Sequence, residues 1–329
     1  MKRTILFSGL ILALVVLTSN ATAAVWRVNG AAGSAADFAT IQAAHNAASV
    51  GDTLYIEGSA ISAGSLTCTK PLVIIGSGYF LSQNPQTQAA PVSGTVDYIY
   101  FNAGSAGSKV MGITVGYIYI YTNDIFITRN YFSFSSYYAI YAPENNLSNI
   151  IITQNYIGSS SVYGYAVYFP YAANNILISN NYIHGYLNSG SNFYGIITNN
   201  IVHGYIGVYN STLKNNILYW GGFTNYNCVY EYNIGYDASF GTANGNQSNV
   251  SMANVFEGTT GTSTDGQWKL RTGSPAIGAG ENGVDCGMYG GPFPYILSGM
   301  PNIPSVYYFL APAIPSNTLD VAIKAKSHN

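Results

Sequence analysis

The stretch ISNNYIHGYLNSGSNFYGIITNNIVHGY, residues 178–205, carries one short pattern twice. NNYIHGY at 180–186 returns as NNIVHGY at 199–205, and His184 and His203, two of four histidines in the chain, hold the same place in both copies. Anchoring on the second Asn and reading outward finds six copies. ITRNYF supplies Asn130, ITQNYI Asn155, ISNNYI Asn181, ITNNIV Asn200, LKNNIL Asn216 and YEYNIG Asn233, at steps of 25, 26, 19, 16 and 17 residues. A weaker copy, VMGITV, places Ile113 where the Asn would be, 17 residues before Asn130.

The positions five and three before each Asn are Ile125 and Ile127, Ile150 and Ile152, Ile176 and Ile178, Gly195 and Ile197, Ser211 and Leu213, Cys228 and Tyr230. A separation of two is strand periodicity, and β-branched residues suit a pleated surface. The position two after the Asn holds Phe132, Ile157, Ile183, Val202, Leu218 and Gly235. It breaks the alternation, so the chain turns at the Asn. A strand-turn-strand unit of roughly 16 to 26 residues, with no helical stretch, predicts a parallel β-solenoid whose coils stack about 4.8 Å apart. The Asn is expected in the turn, in left-handed backbone, bonded to its neighbours above and below.

A solenoid has open ends to cover. Near the start, Phe38–Ala48 reads as one helix with Ile41, Ala44 and Ala48 on one face, closed by Val50-Gly51-Asp52. At the far end Pro292, Pro294, Pro301, Pro304, Pro312 and Pro315 break any coil, and SVYYFLAP and TLDVAIKAKSHN read as two strands of a hairpin on the last coil. Before all of this, Lys2 and Arg3, the apolar run Ile5–Leu17 and Ala21-Thr22-Ala23 have the order of a signal peptide. The expected organisation is a signal peptide over 1–23, a solenoid over 24–292, and a C-terminal cap or docking segment over 293–329.

Charged residues make up only 7% of the chain, and without Lys2 and Arg3 nine basic residues face thirteen acidic ones. That balance offers no basic patch for nucleic acid. No later segment is apolar enough to span a bilayer. Cys68, Cys228 and Cys286 fit no zinc spacing. Cys68 and Cys228 read as small core residues, and a Cys228–Cys286 bridge is left open.

DFATIQAA…GDTLYIEG (37–58) resembles the opening of pectin-lyase-like right-handed parallel β-helix proteins, in which an amphipathic helix plugs the first coil. SPAIGAGENGVDCGMYGG (274–291) is similar to the closing segment of secreted β-helix proteins of Bacteroidota. The resemblance implies an all-β, right-handed parallel β-helix with an N-terminal capping helix. It also implies a choice among lyase, hydrolase and esterase chemistry. The lyases of that superfamily use calcium-binding carboxylates and a basic residue. Within the coils the acids Asp124, Glu144, Glu231 and Asp237 never share a coil position, so no calcium pair is visible. The hydrolases need an Asp pair and Gly-His-Gly, and neither is present. SGTVDYIYFNAG (93–104) resembles the GTVDFIFG stretch of pectin methylesterases, which implies Asp97 as nucleophile. The other members of that site have no recognisable match, and one Asp cannot be both nucleophile and acid.

The expectation is therefore a secreted or cell-surface protein that binds a polysaccharide or a cell-surface protein partner without catalysis. A Tyr/Asn-rich face that includes Tyr131, Tyr156, Tyr182, Tyr186 and Tyr205 would do the binding, since Tyr pairs a flat apolar ring with a polar tip. The alternatives are a polysaccharide-active enzyme with a non-standard site drawn from Asp97, Arg129, Glu144, His184 and His203, and a structural surface or matrix component. No cofactor is called for, with Ca²⁺ left open. Three residues past their Asn, His184 and His203 should leave the turn outward, side by side, about 5 Å apart.

Overall fold

The computed structural model describes residues 23–134, 137–159, 164–311 and 321–328; the expected signal peptide lies outside them, apart from its last residue. The chain is all-β and solenoid-like, with long parallel sheets. One sheet has ten strands, from Val25–Val28 to Val229–Glu231, and every neighbour in it is parallel. The other has twelve, including Leu66–Cys68, Thr95–Phe101, Thr114–Ile120, Ile201–Gly207 and Ile217–Phe223. From Thr53–Ile56 onward the chain alternates between the sheets, so each pass adds a strand to both.

Register explains the interior. Leu54, Ile74, Val110, Ile127, Ile152, Ile178, Ile197 and Leu213 pair in one unbroken row of the ten-stranded sheet, and all are fully buried. Phe132, Ile157, Ile183, Val202 and Leu218 form the facing row of the twelve-stranded sheet. Each such side chain contributes roughly 1.5–3 kcal/mol by leaving water. From Ile127 and Phe132 onward these are the rows read from the sequence.

The asparagines join the two sheets from inside. Asn130, Asn155, Asn181, Asn200, Asn216 and Asn233 are fully buried, and Asn246 extends the row by one coil. The Oδ1 of Asn181 accepts the backbone N–H (2.8 Å) and the Nδ2 (3.0 Å) of Asn155. Its own Nδ2 donates to Oδ1 of Asn200 at 3.0 Å and to the Ile152 carbonyl at 2.9 Å. The same bonds repeat along the row. One detail departs from expectation. The left-handed residue is the one before each ladder Asn: Arg129, Gln154, Asn180, Asn199, Asn215, Tyr232 and Gly245, like Gly112 before Ile113, have φ between 55° and 73°. Bending the backbone there is what turns the next side chain inward.

The first coil is capped by the helix Ile41–Ala47, with Ile41 and Ala44 buried. It starts later than expected because Thr40 is its N-cap, accepting from the Ala43 amide, while Phe38 is bridged to Val28. Buried Asp52 fastens the same end, accepting from the Ala24 and Ser49 amides and the Trp26 indole. Those donors hold its carboxyl below the usual carboxylate range.

Past the last coil the chain does not stop. Residues 285–300 run back along the turn side as a strap. Asn199 Nδ2 donates to the Asp285 carbonyl, Asn180 Nδ2 to Met288 and Gly290, Gln154 Nε2 to Pro294, and Arg129 Nη1 to Met300. The left-handed residue of each of these four coils thus also grips the strap. The expected hairpin forms from Ser305–Leu310 and Ala322–Lys326. It packs near the first coils and not on the last one, because the strap has carried it there. Ala89 N–H donates to the Val306 carbonyl, and Arg129 Nη1 donates to the His328 carbonyl.

All three cysteines are free and buried. Cys68 and Cys228 are in the main core as expected. The Cys228–Cys286 bridge does not form: the Cys228 thiol is directed at the Val208 carbonyl, and the Cys286 thiol at Tyr232 under the strap. Burial pushes the Cys286 thiol up to about 12.

Candidate binding surfaces

With the interior filled, the outward-facing rows are what remain for function. On the ten-stranded sheet Phe126, Ile151, Leu177 and Ile196 stand in register as an outward apolar row. They floor two adjoining depressions of about 360 and 420 Å³ that share Ile151 and Leu177. One wall is the strap side, with Phe293 and Asn302 beside Arg129 and Gln154. The other is a second asparagine row at the opposite turn: Asn149 Nδ2 donates to Asp124 Oδ1 (2.7 Å), and Asn175 Nδ2 donates to Asn149 Oδ1 (2.6 Å). Asn227 and Asn210 repeat the bond at 2.9 Å two coils on. These residues are also left-handed, with φ between 45° and 62°. Tyr194, Ile196 and Phe293 present open surface at 54, 55 and 71% exposure.

The result is a trough along the stacking axis. Its floor is apolar, its rims are amide and hydroxyl groups, and it holds few charges. Arg129 lines it, but Gln154 Oε1 and the Met300 and His328 carbonyls accept from its guanidinium. Carbonyl and amide acceptors with exposed ring faces suit a ligand that has apolar C–H faces and hydroxyl edges.

The twelve-stranded sheet carries the tyrosines. Tyr98 and Tyr117 are stacked at 5.0 Å, and Tyr138 stacks on Tyr141 at 4.3 Å and on Tyr168 at 5.8 Å. Tyr186 and Tyr205 belong here, 5.7 Å apart. Rings stacked on one another have spent their faces, so this surface presents edges and hydroxyls.

Tyr131, Tyr156 and Tyr182 are placed elsewhere. They follow the ladder Asn, and Tyr79, Phe80 and Trp268 are laid over them. Tyr156 and Tyr182 are 7 and 5% exposed, stacked at 4.6 Å, with Tyr182 on Trp268 at 4.4 Å. The expectation of one solvent-facing row including these residues does not hold for them, because this row is the floor of a second core. Burial raises both phenols.

Of the ionisable candidates, His184 and His203 are paired in register with ring centroids 4.7 Å apart. They are half-buried and not fully outside, because Tyr182 and Tyr219 pack beside them. Burial, and then repulsion from His184, lowers His203 to about 4. Asp97 is exposed on the tyrosine sheet, and Glu144 is exposed between two strands. Arg129 is in a turn under the strap. Among the described residues no group of three or more His, Cys, Asp or Glu is placed to hold a metal ion.

The sequence reading missed the trough, although its signal was present. Asn149, Asn175, Asn210 and Asn227 recur near the strand starts just as the ladder Asn recurs near their ends. Comparison with protein-family models, with curated proteins and with solved structures returns no match.

Proposed function

We propose that this chain is a right-handed parallel β-helix of the pectin-lyase-like kind, exported to the cell surface or beyond, that binds a neutral polysaccharide without cleaving it. The observation that carries this reading is the trough: an apolar floor of four-coil length, open rings at Tyr194 and Phe293, and amide rims at Asn149, Asn175 and Asn210. Right-handedness follows from the general preference of parallel crossovers. Export rests on the order of basic, apolar and small residues at the N-terminus.

The scarcity of cations along the trough favours a neutral polymer over a uronate. The enzyme alternative draws on Asp97, Arg129, Glu144, His184 and His203. These lie on different turns and sheets, apart from the histidine pair, and so supply no nucleophile with its base. Calorimetry with soluble neutral glucans and mannans, set against polygalacturonate and alginate, tests the proposal. Binding is expected for a neutral polymer, with no new reducing or unsaturated ends released. Tyr194→Ala or Asn175→Gly should weaken it about tenfold, a loss of about 1.4 kcal/mol. Cleavage of any of these polymers, or binding indifferent to both substitutions, would overturn it.

A further inference from the structure

The tyrosine face has a property that binding does not use: its rings form one connected chain. Tyr98 contacts Tyr100 at 4.9 Å, Tyr100 contacts Tyr119 at 5.3 Å, and Tyr119 contacts Tyr141 at 5.2 Å. Tyr141 leads to Tyr138 at 4.3 Å, Tyr138 to Tyr165 at 5.6 Å, Tyr165 to Tyr186 at 5.7 Å, and Tyr186 to Tyr205. Parallel in-register stacking causes this, since a residue type repeated at one coil position returns at the interstrand spacing of about 4.8 Å. Tyr137 joins the chain through Tyr138 at 5.0 Å and Tyr165 at 5.3 Å. It alone of these rings is wide open, at 61% exposure, where its chain neighbours are half-buried.

Phenols are among the most easily oxidised side chains, and rings in van der Waals contact exchange an electron readily. A half-buried phenol has poor access to water for the proton it must release on oxidation. An exposed phenol does not have that difficulty. Burial and mutual repulsion also hold the phenols of Tyr119, Tyr138, Tyr141 and Tyr168 above their ordinary value, which keeps them neutral.

We propose that the tyrosine chain collects one-electron oxidation along its length and delivers it to Tyr137, which then couples covalently to Tyr137 of a second copy of this chain. In each copy one electron goes to the oxidant and the phenolic proton to water, leaving a phenoxyl radical. The two radicals join by a carbon–carbon bond ortho to oxygen, and the two ortho hydrogens return to the oxygens. With hydrogen peroxide as terminal oxidant, activated by a haem peroxidase, two phenols and one peroxide give one dityrosine and two waters. Such a link would fix an exported chain into a matrix, and it does not depend on the trough binding anything.

Tyr194 provides the control. It is 54% exposed, on the other sheet, with no ring in contact among the described residues. The full chain is treated with peroxidase and peroxide, and covalent dimer, dityrosine fluorescence and cross-linked peptides are measured. The expected result is dimer joined at Tyr137. Tyr137→Phe should lower its yield at least fivefold, and Tyr194→Phe should leave it unchanged. The double change Tyr138→Phe and Tyr165→Phe keeps ring packing and leaves Tyr137 exposed but replaces both oxidisable phenols that touch it with rings that are not, and it should lower the yield at least twofold. An unchanged thermal midpoint in each variant confirms that packing is retained. Equal losses from Tyr137→Phe and Tyr194→Phe, links mapped to other tyrosines, or no dimer would overturn the proposal. An unaffected yield in the double variant would overturn the collecting role.

Discussion

The buried asparagine row and the exposed one use the same side chain, the same coils and the same Nδ2-to-Oδ1 bond, but they differ in what water can replace. At Asn181 both side-chain atoms are inside, and every bond they make is to protein. At Asn149 the row is open, so solvent stands ready for any bond that is lost. The backbone differs as well. Asn149 is itself left-handed with φ 59°, whereas at the inner turn that conformation belongs to Asn180, and Asn181 is free of it. The inner row therefore specifies the fold through its side chain, and the outer row through its backbone.

The sharpest way to break the comparison is Asn181→Ala. It strands the Asn155 amide N–H and the Ile152 carbonyl in a dry interior, and it leaves Asn155 Nδ2 with only the Ile127 and Thr153 carbonyls. At about 1–3 kcal/mol for each buried group left unpaired, a loss of about 3–5 kcal/mol is expected, read as a fall in the urea midpoint. Asn181→Gly should be no better, since no left-handed strain is relieved. Asn181→Asp should be comparably poor, because a carboxylate oxygen would then face the Ile152 carbonyl where Nδ2 now donates.

That much was legible in the sequence, and the reason is physical. A fully buried polar side chain that bonds its own copy in the next coil can be neither exchanged nor moved, so it recurs as Asn at fixed offsets from Ile127, Ile152, Ile178 and Ile197. The last rung, Asn246, was less legible because its coil is only 13 residues on and lacks the flanking Ile. The strap was not legible as a strap. Asn180, Gln154 and Arg129 grip it by carbonyl oxygens, which every residue has, so nothing in 285–300 records the partner. For the same reason Tyr156 and Tyr186 look alike in sequence. Only the segment bearing Trp268, whose indole N–H donates to the Tyr156 hydroxyl, makes the first a core residue.

Between the two rows in depth stands the His184–His203 pair, also in register and half-buried. His203 titrates near 4 in the folded chain against an ordinary 6.5. Between those values the unfolded chain binds a proton that the folded chain does not, so stability falls as pH drops from 6.5 toward 4 and levels off below. Because water screens a half-open ring, the expected loss over that window is about 1–2 kcal/mol and not the full shift. His203→Gln should flatten that part of the stability–pH curve. An NMR titration placing His203 near 6.5 would remove the effect, and with it the claim that in-register stacking desolvates this row.

The smallest effect belongs to the outer row. Asn149→Ala removes the bond to Asp124 and the one received from Asn175, but both partners keep water. What remains is the cost of a Cβ-bearing residue other than Asn in left-handed backbone, about 1 kcal/mol. Asn149→Gly meets no such cost, because glycine adopts that conformation as readily as its mirror. The expected order in urea melts is therefore wild type close to Asn149→Gly, with Asn149→Ala about 1 kcal/mol below. At Asn181 the two substitutions should be equally damaging. If Gly failed to rescue position 149, the outer row would owe its stability to its amide bonds, and the distinction between a row that acts by side chain and one that acts by backbone would collapse. If Gly does rescue it, the amide bonds of the outer row are dispensable to the fold, and the recurrence of Asn at 149, 175, 210 and 227 follows from its tolerance of left-handed backbone.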